Sequence, residues 1–267
     1  MNYLEIVHEA LNAAQNAIAP IFRGTNISTF LGHGAHGDPT YTIDRVAEDA
    51  ILNVIKQNIP DAYVVTEEKG QIGNESNEIT VLIDPIDGST NAIHHIPFFS
   101  SAIAIAEGKG FRDIVAAGVI DLIHQDVFVG GERGGILLNG ISVNPSSNTN
   151  LSSAYIFVNP RASSETETWK QDLGRLLVET RYPRCLGSSA LETAYVADGR
   201  ADAFIETRHT LRPFDCVPSM YLILKAGGFV ELLGTRVDDL DLRRKVRLGL
   251  IAAGNKELGD KIMSILT

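Results

Sequence analysis

Two aspartates three positions apart, Asp84 and Asp87, follow the apolar run Val81-Leu82-Ile83 and precede Gly88-Ser89-Thr90-Asn91. The apolar run reads as a core strand. Pro85 lacks a backbone donor, so pairing is expected to stop there as the chain emerges at a sheet edge. Both carboxylates then face one cleft. The small residues behind them offer free amides and hydroxyls, which suits a helix N-terminus that receives a phosphate. Two hard anionic oxygens beside a phosphate cradle imply a divalent ion. A lone D-P-x-D-G also fits an ordinary turn, because Asp, Pro and Gly are turn formers. The chemical reading therefore depends on what the rest of the chain supplies.

Asp84-Pro85-Ile86-Asp87-Gly88-Ser89 resembles the signature of the inositol monophosphatase and fructose-1,6-bisphosphatase superfamily of metal-dependent phosphomonoesterases, and its archaeal and bacterial dual-activity members are the most similar. Other segments carry the same resemblance. Asp44 can be read as a carboxylate on a helix dipole; the resemblance makes it the aspartate that orients the hydroxyl holding the nucleophilic water. Adjacent glutamates ordinarily mark a solvated face, but Glu67 and Glu68 stand where the family has its paired-glutamate element. That implies metal bridging and water activation for Glu67, with Glu68 behind it. Gly187-Ser188-Ser189-Ala190 can be a simple helix cap, and it also resembles the turn that contacts substrate beyond the phosphate. Phe214-Asp215 resembles the family's Trp-Asp element, whose aspartate ligates the second metal. Phe214 replaces the tryptophan and Pro218-Ser219 replace the usual small pair, which bears on substrate fit before metal binding.

A phosphomonoester dianion repels nucleophiles, so its hydrolysis needs cations on the equatorial oxygens, an in-line water and relief for the leaving alkoxide. Magnesium, with manganese as a substitute, meets these needs through oxygen ligands. The resemblance implies two or three ions held by Glu67, Asp84, the Ile86 carbonyl, Asp87 and Asp215. It further implies that Ser89 and Asp44 orient the water, and that no covalent intermediate forms. Substrate contacts are expected from Asp87, Gly88, Ser89, Thr90, Arg184, Gly187, Ser188, Ser189, Glu206 and Arg208. A second phosphate on the substrate calls for arginine; Arg184 and Arg208 are expected to supply it, with Arg161 and Arg212 in reserve. The bland reading of each is an exposed surface arginine. The expected activity is magnesium-dependent hydrolysis of fructose 1,6-bisphosphate at its 1-phosphate, of inositol 1-phosphate, or of both. The same fold also admits a 3'-phosphatase of adenosine bisphosphates, an NADP phosphatase, a histidinol-phosphatase-like enzyme, or an inactive, metal-binding regulatory protein.

Composition narrows the field. A formal charge of -10 over 267 residues argues against nucleic acid as a main partner, because phosphate-backbone affinity needs clustered cations. Cys185 and Cys216 are too few for a disulfide framework and are expected to be core residues in a reducing compartment. The N-terminus is charged and no uncharged apolar run approaches membrane-spanning length, so the expectation is a cytoplasmic protein with no membrane partner. The resemblance implies a homodimer or higher homo-oligomer acting on a small phosphate ester.

The elements that must position these residues follow from periodicity. Apolar residues from Leu4 to Phe22 recur at helical spacing, with Gly24 as the stop, and Asp44 opens a second helix running to about Gln57. Between them, residues 26–41 read as a mobile Gly-rich loop, expected to close over substrate; His33 and His36 there are solvated or, less simply, ligands. A short strand at 62–66 delivers Glu67, and 71–78 reads as a polar loop. Strands follow at 100–107, 114–122 and 126–129, and the glycines of 130–140 read as tight turns rather than a phosphate loop. Residues 145–152 make the best boundary, dividing an N-terminal α+β half (1–147) from a C-terminal α/β half (148–267). In the second half strands at 154–158, 184–186, 201–205, 229–232 and 248–252 alternate with helices at 165–179, 189–197, 215–226 and 256–266. The fold class is α+β: a layered α-β-α-β-α sandwich of the sugar phosphatase type, with the metal site at the junction of the halves.

Overall fold

Ile6, Val7, Ala10, Leu11, Ala14 and Ile18 recur at helical spacing, and all are buried in helix α1, Tyr3–Phe22. The structure is a computed structural model that describes residues 1–22, 27–159 and 167–266, without side chains over 167–172. The expected helix stop at Gly24 lies outside the described residues. Beyond it comes a correction. The segment read as an irregular loop forms an antiparallel hairpin, β1 (Phe30–His33) and β2 (Pro39–Tyr41). Gly37, at φ 91°, supplies left-handed backbone in its tip, Gly32, at φ 120°, sits at the register break within β1, and Ala35 N–H donates to the Glu68 carbonyl at 2.8 Å. No apolar alternation announces this hairpin, because three of the four residues of β1 are exposed.

Helix α2 (Thr42–Asn58) leads into β3 (Tyr63–Thr66), β4 (Gly70–Ile72) and β5 (Ile79–Asp87); β4 occupies part of the expected polar loop. Next come the short helix α3 (Ser89–Ile93), then β6 (Ser100–Glu107), β7 (Ile114–Asp121), β8 (Val127–Gly131), β9 (Ile136–Leu138) and β10 (Ile141–Val143). Strands β3 to β10 form one eight-stranded sheet in the order β10-β9-β8-β7-β6-β5-β3-β4. The second sheet begins with β11 (Tyr155–Val158), followed by α4 (Glu167–Glu179), β12 (Tyr182–Arg184) and α5 (Ser189–Ala197). It continues with β13 (Ala203–Leu211), α6 (Pro213–Ala226), β14 (Phe229–Leu233), β15 (Leu248–Ala253) and α7 (Lys256–Leu266). Its five strands run in the order β12-β11-β13-β15-β14.

Helices α1 and α2 cover the outer face of the large sheet, α5 and α6 pack between the sheets, and α4 and α7 cover the far face of the small one. This is the α-β-α-β-α sandwich. Three apolar clusters fill its three interfaces, and the central one joins Leu82 and Phe128 of the large sheet to Phe204 and Leu250 of the small one through Phe214 and Met220.

Two strands depart from expectation in ways that matter for the site. Strand β5 lies inside the sheet, between β6 and β3, and pairing resumes beyond Pro85: Asp84 faces Ala102, and Asp87 faces Ser100. One extra residue on β5 makes a bulge that accommodates the missing proline N–H and re-aims the chain. Strand β13 runs to Leu211 instead of ending at Ile205, with its register to β15 broken between Glu206 and Leu211 and His209 at φ 54°. The segment carrying Arg208 is therefore strand. Cys216 is buried as expected; Cys185 is exposed, because it falls where the chain leaves β12 for the Gly187 turn.

Candidate active site

The bulge in β5 places Asp84 and Asp87 at one mouth of the large sheet, where the end of β3 brings Glu67 and the start of α6 brings Asp215. A cleft of about 310 Å³ is lined by these four carboxylates and by Asp38, Glu68, Ile86, Gly88, Ser89, Thr90, Gly187, Ser189 and Arg212, among others. Two aspartates, Asp44 behind the cleft and Asp215 in its wall, also hold the fold. Asp44, third in α2, accepts the Tyr41 N–H at 2.7 Å, and Asp215, third in α6, accepts the Arg212 N–H at 2.7 Å. Each caps its own helix while other lone pairs remain for the cleft.

Gly88 turns the chain from β5 into α3 at φ 93°, and a Cβ there would stand 3.0 Å from the Gly187 carbonyl oxygen. Only glycine lets the two halves meet so closely. Across this contact Asp87 Oδ2 accepts the Ser188 hydroxyl and the Ala190 N–H, the latter at 2.8 Å. The Ser89 hydroxyl lies 2.8 Å from Asp44 Oδ1 and 2.9 Å from the Ile86 carbonyl, donating to one at a time. Its lone pairs stay open to the cleft. Behind the cleft, Thr40 donates to Glu68, and buried Glu48 accepts from Thr66 Oγ1 at 2.8 Å and Lys69 N–H at 2.9 Å.

Burial pushes the carboxyls of Asp84, Glu67, Asp87, Asp215, Glu68 and Asp44 upward. Asp84 is raised well above the ordinary carboxylate range, first by desolvation and then by the charges of Glu67, Asp87 and Asp215. Glu67 rises to about 8, with desolvation outweighing the opposing pull of Arg212. Asp87 rises to about 6 against the Ser188 hydrogen bond, Asp44 to about 6 and Glu68 to about 7, each chiefly through desolvation, and Asp215 is raised for the same reason. Such a set is short of positive charge.

Arg212 provides what there is. Its guanidinium bonds Glu67 at 2.5 Å, Asp38 at 2.5 Å and Asp215 at 3.2 Å, and it stacks over the Phe214 ring at 4.7 Å. Among the described residues no three His, Cys, Asp or Glu side chains are already gathered as a closed metal cage. Arg212 instead bridges Glu67 and Asp215. The donor set nonetheless fits divalent cations: hard oxygens, raised proton affinities and a buried Asp84 Oδ1 with no hydrogen-bond partner.

The expected substrate contacts divide. Asp87, Gly88, Ser89, Thr90, Gly187 and Ser189 line the cleft; Ser188 is fully buried behind it as a donor to Asp87. Glu206, Arg208 and Arg184 do not line it. Arg208 is buried against Glu206, which also accepts the Arg208 N–H at 3.0 Å and the Thr210 hydroxyl at 3.2 Å. Arg184 is exposed, donating to the Pro183 carbonyl and lying over the Tyr155 ring. Arg161 lies outside the described residues. His36 packs its ring on Phe214 and His33 on Phe30, so neither joins the carboxylates. Arg212, a reserve by sequence, is the arginine at the centre. Its position three residues before Asp215 was the available signal, since that places it at the helix N-cap.

The sequence profile of the inositol monophosphatase family matches residues 2–266. The chain belongs to that family. It is 32% identical over 275 residues to the fructose-1,6-bisphosphatase/inositol-1-monophosphatase of Methanothermobacter thermautotrophicus, covering 94% of this chain and 92% of the relative. It is 31% identical to the bifunctional NADP phosphatase/NAD kinase of Methanococcus maripaludis, covering 98% of this chain but 49% of that longer protein. The crystal structure of the extragenic suppressor protein suhB from Bartonella henselae superposes with a TM-score of 0.87 at 26% identity, covering 100% of this chain and 99% of the other. Among the described residues no helix is long and apolar enough to cross a membrane.

Proposed function

We propose that this protein is a magnesium-dependent phosphomonoesterase acting on fructose 1,6-bisphosphate at its 1-phosphate, on inositol 1-phosphate, or on both. One observation carries the reading: four buried, charge-starved carboxylates from three parts of the chain border the amide turn Gly88–Thr90. Glu67, Asp84, the Ile86 carbonyl, Asp87 and Asp215 would hold the ions, with manganese able to replace magnesium. When bound, the ions would neutralise phosphate charge and lower the pKa of a coordinated water.

The chain's own residues do the rest. The first amides of a helix have no intrahelical partner, so the Gly88 and Ser89 N–H groups and the Thr90 hydroxyl can grip the phosphate oxygens. The Ser89 hydroxyl, donating to Asp44, accepts a hydrogen bond from the attacking water and fixes its direction. Asp44, with its pKa raised only to about 6, is ionised at neutral pH and keeps that serine proton in place. Glu67, at the end of β3 beside Asp84, is positioned to take up the water's proton as the phosphorus–oxygen bond forms, and cations in the cleft would hold it ionised for that role. As the ester phosphorus–oxygen bond breaks, the alkoxide would leave on the opposite face and take a proton from solvent, with Gly187 and Ser189 in the wall of the cleft available to the alcohol. Direct transfer to water requires no covalent enzyme intermediate.

A second reading, NADP phosphatase, is favoured by the coverage of this chain by a relative so named. Free cysteines at 185 and 216 agree with a cytoplasmic location, and the family resemblance implies a homo-oligomer. Phosphate release should be measured with magnesium over inositol 1-phosphate, fructose 1,6-bisphosphate, adenosine 3',5'-bisphosphate and NADP. Turnover of the first two that vanishes in chelator supports the proposal. Exclusive turnover of NADP moves it to the second reading, and no turnover of any sinks both.

A further inference from the structure

Behind the hairpin tip and Phe214 lies a separate cavity of about 250 Å³. Its lining includes five cationic side chains, Arg212, Arg243, Arg244, Lys245 and Arg247, and no carboxylate. In a chain of formal charge -10 such a concentration is unusual. The charges also differ in how they are compensated. Arg243 is buried, yet its guanidinium is held by neutral groups: Thr80 Oγ1 at 2.8 Å, the carbonyls of Glu75 at 2.7 Å and Asn77 at 2.6 Å, and the face of the Tyr63 ring at 4.5 Å. Its positive charge is fixed in place without a counter-ion. Arg247 spends one N–H on the Thr210 carbonyl at 2.7 Å, Arg244 makes an exposed contact to Asp241, and Lys245 has no hydrogen bond or ion pair among the described residues.

A solvated basic ridge is the plainer reading of consecutive cations, since exposed charges point away from one another. Here, however, they border one cavity together with His36. The charges of Arg212, Lys245 and Arg247 all act on His36, depressing its pKa after burial has done so. His36 Nε2 is buried without a hydrogen-bond partner in the same wall. A cavity edged by Lys245 and Arg247, which no carboxylate neutralises among the described residues, and backed by buried Arg243 and an orphaned ring nitrogen calls for an anion.

We propose that this cavity is a second phosphoanion site, held by Lys245, Arg247 and Arg243 and distinct from the carboxylate cleft. Its ligand class is a small molecule carrying a phosphate or diphosphate group. Arg212 lines both cavities, so an anion here offers that guanidinium a partner other than Glu67 and Asp215. The proposal does not rest on the phosphatase reading, and its test is run without metal or turnover.

The full chain in chelator is titrated calorimetrically with pyrophosphate. Without divalent ions the carboxylate cleft repels the probe, so saturable uptake reports the basic cavity. Wild type and Asp84→Asn should bind alike, while the double variant Lys245→Gln/Arg247→Gln, altered only at exposed side chains, should bind at least tenfold more weakly. An unchanged melting temperature of the double variant shows that the loss is local. Absence of saturable uptake by wild type, or equal uptake by the double variant, overturns the proposal. Kinetics with magnesium then separate two sources of the anion. A KM increase confined to fructose 1,6-bisphosphate identifies the distal phosphate of a substrate; unchanged KM for it and for inositol 1-phosphate identifies a separate phosphoanion. A similar rise for both would overturn the separation of the two sites.

Discussion

Replacing Arg212 by methionine keeps an unbranched apolar stem and removes the one guanidinium that bridges Glu67, Asp215 and Asp38 and lies over Phe214. The contact to Asp38, whose side chain is 55% exposed, is worth at most about 1 kcal/mol. The other two are buried, with Arg212, Glu67 and Asp215 side chains at 14%, 13% and 12% exposure. Removing one partner of a buried ion pair costs roughly 3–5 kcal/mol. Protonation limits the damage, because Glu67, raised to about 8 even with the guanidinium beside it, is already largely neutral at pH 7 and leaves little unpaired charge behind. The net expectation for the metal-free protein at pH 7 is a loss of about 2–4 kcal/mol, or roughly 4–7 °C in melting temperature. Magnesium should reverse the ranking of gains. In wild type the ions displace a guanidinium; in Arg212→Met they meet undefended carboxylates, so magnesium affinity should rise about tenfold and the magnesium-induced shift in melting temperature should be larger. Differential scanning fluorimetry in chelator and across a magnesium series, with calorimetric titration of the metal, measures both effects. An unaltered metal-free melting temperature, or equal magnesium shifts in the two proteins, would refute the idea that Arg212 is the cleft's internal counter-cation.

Asp84→Asn should lose at least a hundredfold in turnover and yet melt no lower in chelator, since burial already penalises the charge it removes; phosphate release and melting curves read the two halves of that statement. Glu192, buried on α5 and accepting the Leu186 N–H at 2.7 Å, has its pKa raised from 4.5 to about 8 by desolvation. Below pH 4.5 it is neutral folded or unfolded; between there and pH 8 only the unfolded chain ionises freely, so wild type should lose stability as pH rises. Denaturant titrations of Glu192→Gln should lack that component, which is bounded at about 5 kcal/mol, and parallel pH curves would contradict it. Arg208→Ala, expected from sequence to injure the bisphosphate reaction ten- to a hundredfold, should instead leave Glu206 unpaired, cost about 3 kcal/mol and affect both substrates alike. A loss selective for fructose 1,6-bisphosphate would restore the substrate role.

What the sequence determined by itself was local. Helical spacing in α1 and α2, the β-branched run before Asp84, and the alternation of strands and helices after residue 150 each depend on side chains a few positions apart, and all were legible. So was the set of residue types bordering the cleft, because Asp84, Asp87 and Ser89 are neighbours in the chain and Glu67 and Asp215 sit at element ends. The tertiary structure decided what depends on distant partners. Pro85 argues for a strand end, but a bulge opposite Ser100 and Ala102 carries β5 onward. The hairpin at 30–41 pairs through backbone groups that leave no apolar pattern. Arginine charge is readable anywhere in a sequence, whereas its direction is not: Arg208 folds back on Glu206, Arg184 lies over Tyr155, and Arg212 reaches three carboxylates brought together from positions 38, 67 and 215. Long side chains take their partners from packing, and packing between two sheets is fixed only when both have formed.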